Sequence, residues 1–268
     1  MSRLAAIQMC SGDDVDANLA TAAALLGEAR AQGADLALLP ENFALMAQSA
    51  PQRLRHAESD AGGPIQEMLA QTSARLGLWI VAGTVPMRAH APDKVRAACL
   101  VFNGGGERVA RYDKMHLFDV DLGAGERYQE SAVFEPGDAP LVVAAPFGRI
   151  GLSVCYDLRF PELFRRLVDQ DARILTVPAA FTVPTGAAHW EILLRARAIE
   201  NSCYVVAAAQ EGLHGNGRTT YGHSMIIDPW GRIIGSVAAG EAVVSASCES
   251  TYLERVRAQL PSLRHRRF

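Results

Sequence analysis

At 268 residues, 49% hydrophobic and 21% charged, the chain has the make-up of a globular protein with ample core rather than that of a disordered one. Its net charge of -3 leaves no electrostatic footprint for nucleic acid, and the one basic cluster, Arg264-His265-Arg266-Arg267, reads as a solvated tail or a cap on a partner. The five cysteines are odd in number, far apart and free of C-x-x-C pairs, which argues against a disulfide framework or a zinc site and for reduced thiols.

No Pro/Gly/Ser-rich linker divides the chain, so one domain over residues 1–268 is expected. The apolar run at residues 4–10 is too short, and too acidic downstream at Asp13, Asp14 and Asp16, for a leader. No stretch approaches the ~18 apolar residues of a membrane helix. A cytoplasmic protein with no membrane partner is the expectation.

Residues 4–9 read as a strand, 17–31 as an Ala- and Leu-rich helix ending before Gly33, and 35–41 as a second strand, fully apolar over 36–39 and ended by Pro40. Glu41 stands just past its end, where open α/β sheets carry functional groups. A helix over 64–76 starts at Pro64, and residues 78–85 form one further strand. Strands 96–102 and 107–112 flank Gly104-Gly105-Gly106, a hairpin signal and not a dinucleotide loop, because no helix follows it. Residues 113–119 leave that hairpin as a polar connector, and 123–137 read as loop.

A second hairpin joins 141–145 to 150–154 and ends at Cys155. Pro161 opens a helix to about 169, followed by a strand at 173–177 and a helix at about 189–202, whose Trp190, Leu193, Leu194 and Ala198 share a core-facing side. Strands at 204–209, 223–228, 232–237 and 241–246 precede a short helix at 251–259. About ten strands and four or five helices, mixing strand-helix-strand units with hairpins, favour two packed mixed sheets with helices outside.

Cys155 ends an apolar run at a strand-to-helix junction, which puts a side chain at the lip of a sheet beside outward-pointing backbone N–H groups. A free cysteine is more often a small buried hydrophobe, so a nucleophile needs a base and a cation nearby. Glu41 and Lys114 stand where other predicted strands end, and each alone would be a capping or solvated residue. Histidine partners for the thiol, His116 or His189, are the weaker alternative, and no G-x-S-x-G points to a serine hydrolase.

The segments Leu39-Pro40-Glu41-Asn42-Phe43, Tyr112-Asp113-Lys114-Met115-His116-Leu117-Phe118-Asp119 and Ser153-Val154-Cys155-Tyr156-Asp157-Leu158-Arg159-Phe160-Pro161-Glu162 resemble, in order and spacing, the signatures of the nitrilase (carbon-nitrogen hydrolase) superfamily. The segments 186–200, 204–210 and 221–231 look most like its Nit-type amidases, and among those the deaminated-glutathione amidases. One departure is Gly186-Ala187-Ala188 where the family often has Gly-Pro-Ala.

The resemblance implies a four-layer αββα sandwich and a Glu41, Lys114 and Cys155 triad, with Glu130 as a second active-site glutamate beside Lys114. Glu41 would be the base, and Lys114 with the backbone N–H of Tyr156 would hold the oxyanion. Two carboxylates packed around one ammonium could keep one of them protonated during the cycle. The expected reaction is hydrolysis of the terminal amide of a small carboxylate-bearing substrate, deaminated glutathione first, to acid and ammonia through a thioester. No metal or cofactor is expected, and no H-E-x-x-H spacing is present.

Arg159 and Arg173 are candidates for the substrate carboxylate and His189 is a candidate contact; Arg159 could equally brace the turn by pairing with Glu162 or another acid. Arg197 reads as a paired structural residue. The alternatives are an omega-amidase acting on alpha-ketoglutaramate or alpha-ketosuccinamate, a carbamoyl-amide hydrolase, or a non-catalytic scaffold on the same fold. A homodimer or higher homo-oligomer, joined through the helix after Cys155 and the C-terminal segment, is implied by the resemblance alone.

Overall fold

The computed structural model describes residues 1–123 and 126–267. Its first strand, β1 (Ser2–Gln8), shows how the layers stack. Leu4 and Ala6 face a core shared with Val205 and Ala207 of a second sheet, whereas Ala5 and Ile7 face Leu26 and Ala29 of a helix. The period-2 alternation of a strand thus divides two apolar layers, one between sheets and one under helices.

The first half of the chain comprises β1, α1 (Val15–Ala31), β2 (Leu36–Leu39), α2 (Ala50–Arg55), α3 (Pro64–Leu76), β3 (Trp79–Ala82), β4 (Val85–Arg88), β5 (Val95–Phe102) and β6 (Arg108–Asp113). The short hairpin of β7 (Asp119–Asp121) and β8 (Arg127–Gln129) follows. The second half runs through β9 (Val142–Ala145), β10 (Gly148–Leu152), α4 (Pro161–Asp169), β11 (Ile174–Ala179), α5 (Val183–Asn201) and β12 (Tyr204–Ala209). It continues with β13 (Glu211–Leu213), β14 (Thr219–Tyr221), β15 (Ser224–Ile227), β16 (Ile233–Val237), β17 (Ala242–Cys248) and α6 (Ser250–Gln259).

One seven-stranded sheet has the order β17-β1-β2-β3-β5-β4 with β6 on β5, and one six-stranded sheet the order β16-β15-β12-β11-β10-β9. α1 and α3 cover the outer face of the first sheet, and α4 and α5 pack against the second. The chain is an αββα sandwich.

Strand direction brings the site together. β1, β2 and β3 are parallel, as are β10, β11 and β12. β6 is antiparallel to β5, itself antiparallel to β3, so β6 ends on the same side as β2. Met9 and Gln210, just past β1 and β12, form a parallel bridge that aligns the carboxyl ends of both sheets. Residues following β2, β6 and β10 therefore meet at one end of the sandwich.

Several elements depart from the pattern read in the sequence. The strand expected at 78–85 is split into β3 and β4 at Gly83, whose φ of +39° turns the chain against the Pro40 carbonyl. α5 begins at Val183, not near 189; Pro184 sits in its first turn, where a missing N–H costs nothing. Gly186 lies inside that helix because a Cβ there would stand 2.3 Å from the Tyr221 ring. The expected loop at 123–137 contains β8 and a 3-10 turn, Glu130–Ala132; residues 124 and 125 lie outside the described residues. The expected ten or so strands become seventeen among the described residues, because hairpins of three or four residues carry too little periodicity to be read.

Candidate active site

Cys155 follows β10 in a left-handed conformation, φ +49°, uncommon for a residue with a side chain and frequent at strained functional turns. The buried Asp157 carboxylate holds this turn. It accepts hydrogen bonds from the Val154 N–H at 2.8 Å, the Tyr112 hydroxyl at 2.7 Å and the His116 N–H at 3.1 Å, and pairs with His116 Nδ1 at 2.7 Å. The Tyr156 N–H, at the open start of the 3-10 turn, has no acceptor among the described residues.

Glu41 follows Pro40 at the end of β2 in a loop fixed from both sides. Gln210 Nε2 donates to the Glu41 carbonyl at 3.1 Å, and the Asn42 N–H donates to Thr84 Oγ1 at 2.8 Å. Lys114 follows β6 and is 1% exposed. Its ammonium donates to Glu41 Oε1 at 2.8 Å and to Glu130 at 2.8 and 3.0 Å. Glu130 opens the 3-10 turn after β8, where the Phe118 N–H donates to its Oε2 at 2.7 Å.

Burial alone would raise the Glu41 carboxyl, but the Lys114 charge overrides it and holds the group below its ordinary 4.5. Burial would likewise lower Lys114, yet the charges of Glu130 and Glu41 carry it above its ordinary 10.5. Burial, then the Glu41 charge, pushes the Cys155 thiol well above 9.0, against the pull of Lys114. The resting arrangement is a protonated thiol beside an ionised carboxylate and a fixed ammonium. That arrangement can take a proton from sulfur as it attacks and stabilise charge on the atom it attacks.

A narrow cavity opens onto Cys155, Glu41 and Glu130, with Phe118, Phe181 and two arginines in its wall. One is Arg159, whose guanidinium lies 5.8 Å from the Tyr156 ring centroid and 5.4 Å from that of Phe181. It meets His189 Nδ1 at 3.3 Å and makes no ion pair with Glu162 among the described residues, so the bracing role is not the one seen. The other, Arg218, had no signal in the sequence, being a single arginine in a glycine-rich turn.

Two sequence candidates fall elsewhere. Arg173 precedes β11 at the amino end of the parallel strands, opposite Cys155, and pairs with Glu254 and with Asp171 at 3.5 Å. It does not line the cavity, so it is not placed to bind a substrate carboxylate there. His189 is exposed on α5, meets the site through Arg159 and, like His116, makes no hydrogen bond to Cys155 among the described residues. Arg197 is buried and paired, donating to the Leu158 carbonyl at 2.7 Å and to Glu200 at 2.9 Å. Trp190 is core, its Nε1 donating to the His223 carbonyl at 2.8 Å.

Among the described residues no cluster of three or more His, Cys, Asp or Glu is placed to hold a metal, and no helix is long and apolar enough to cross a membrane.

The carbon-nitrogen hydrolase family matches residues 3–258. The chain is 45% identical over 269 residues to a deaminated glutathione amidase of Yersinia enterocolitica, covering 100% of this chain and 93% of that one. It is 34% identical to the omega-amidase NIT2 of Xenopus tropicalis, over 99% and 95% of the two chains. Among solved structures, the C. elegans NitFhit protein superposes with a TM-score of 0.93 at 34% identity, covering 99% of this chain and 65% of that longer one.

Proposed function

The chain belongs to the carbon-nitrogen hydrolase family, and from that premise we propose that it is a cysteine amidase acting on a small carboxylate-bearing amide, deaminated glutathione first. The observation that carries this reading is the buried Lys114 ammonium held at 2.8 Å by both Glu41 and Glu130, the two carboxylates that line one cavity with Cys155. Three side chains that the sequence separates by tens of residues meet there as a base, a cation and a nucleophile.

Glu41 takes the Cys155 proton as sulfur bonds to the amide carbon. Lys114 and the Tyr156 N–H stabilise the oxyanion, each donor of this kind being worth ~3 to 4 kcal/mol of barrier. The C–N bond then breaks, Glu41 returns its proton to the departing nitrogen, and a thioester remains on Cys155. Water, giving its proton to Glu41, attacks the thioester and releases the acid and the thiol. Glu130 holds Lys114 in place by accepting from its ammonium at both carboxylate oxygens, and Arg159 is the proposed partner of the acyl carboxylate.

In deaminated glutathione the amide nitrogen belongs to cysteinylglycine, so the first product is that dipeptide. Ammonia is released only from a primary amide such as alpha-ketoglutaramate. The omega-amidase reading is kept because of the Xenopus relative. Both substrates should be assayed with the wild type and with Cys155→Ala, following dipeptide and ammonia separately. The wild type is expected to favour deaminated glutathione and the variant to cleave neither. Substantial turnover by the variant, or none by the wild type, would sink the reading.

A further inference from the structure

The two guanidiniums in the cavity wall are linked through successive contacts among three aromatic rings. Phe118 lies 5.0 Å from Tyr156 and 5.2 Å from Tyr128, centroid to centroid. Arg159 lies over Tyr156 at 5.8 Å, and Arg218 lies over Tyr128 at 5.3 Å. Cys155 and Glu41 open into the same cavity.

Arg218 leaves the turn between β13 and β14, and among the described residues its guanidinium is tethered at Nη2, which donates to the Ala180 carbonyl. Its Nε is buried without a hydrogen-bond partner, and no carboxylate pairs with it among the described residues. A buried donor left unpaired carries a desolvation cost that a ligand acceptor would remove, and a guanidinium matches a carboxylate in two-point geometry. The neighbouring acids are engaged elsewhere, because Glu41 and Glu130 are both bound to Lys114.

We propose that Arg218 binds a second substrate carboxylate, so that the site selects amides whose acyl half and amine half each end in a carboxylate. One carboxylate pairs with Arg159 and the other with Arg218, and the chain between them lies along Tyr156, Phe118 and Tyr128 past Cys155. This inference rests on the amidase reading above. It accounts for a preference for deaminated glutathione, which carries an acid at each end, over alpha-ketoglutaramate, which carries one.

The test compares kcat/KM for deaminated glutathione and alpha-ketoglutaramate in the wild type, Arg218→Met and Arg218→Lys. Any general loss that a substitution imposes cancels in the ratio of the two substrates. In Arg218→Met the ratio is expected to fall ~10- to 100-fold, the weight of a charge-assisted pair, chiefly through KM. Arg218→Lys should recover part of it. An unchanged ratio in Arg218→Met, with the wild type active on both amides, overturns this inference alone. Inactivity of the wild type on both overturns the amidase reading beneath it.

Discussion

The Cys155 thiol rests protonated, so its reactivity depends on Glu41 being ionised when the substrate arrives. A depressed carboxyl pKa means that the competent form persists to lower pH than for a free glutamate. The rate should therefore be flat through neutrality and fall only as pH drops through the folded pKa of Glu41, below its ordinary 4.5. A kcat/KM profile with its acid limb centred well above that value would contradict the assignment. Lys114 is the cation whose loss is felt most widely. Lys114→Met removes the proposed oxyanion donor, at an expected cost of ~10²- to 10³-fold in kcat, and leaves two carboxylates facing each other. Breaking a buried pair of this kind costs ~3 to 5 kcal/mol of stability, readable in urea denaturation, unless Glu41 takes up a proton. The proposed triad residues drew notice because each closely follows a strand inside a recognisable segment, whereas Arg218 did not, since its surroundings come from Tyr128 and Ala180, distant in sequence.

Among elements, the sharpest constraint falls on the turn between β3 and β4. A Cβ on Gly83 would stand 1.9 Å from the Pro40 oxygen, and φ there is +39°. Gly83→Ala should push the Pro40-Glu41 peptide away from Lys114 and lower both stability, by ~1 to 3 kcal/mol, and kcat. Thermal melts and turnover read side by side test this; a variant with full stability and activity would show that the turn is not a support for Glu41. The sequence marked 78–85 as one apolar run because hydropathy does not register a backbone approaching from another strand. It marked α4 at its observed bounds because Pro161 starts the helix and the apolar face of Leu163, Phe164 and Leu167 repeats at helical spacing. The start of α5 was missed for the converse reason: Gly186 and Pro184 look like loop residues until Tyr221 and the first-turn position explain them.

For the whole molecule, stability resides in the seam between the sheets, where Leu4, Leu36 and Leu38 meet Val205 and Ala207. Leu36 is fully buried at the amino end of β2, away from Glu41. Leu36→Ala should cost ~2 to 5 kcal/mol in chemical denaturation through lost burial and the cavity left behind, with kcat little changed. A parallel fall in kcat would mean that the seam also tunes the site. The two packed sheets with helices outside were readable from the strand count and the mix of strand-helix-strand units with hairpins. The alignment of the two sheets was not, because it depends on the bridge between Met9 and Gln210, some 200 residues apart in the chain. The claim on which the rest depends is that an acyl group passes through Cys155. Enzyme acid-quenched during turnover of deaminated glutathione, then mapped by peptide mass spectrometry, should carry that group on the peptide containing Cys155; the group on any other residue would contradict the account.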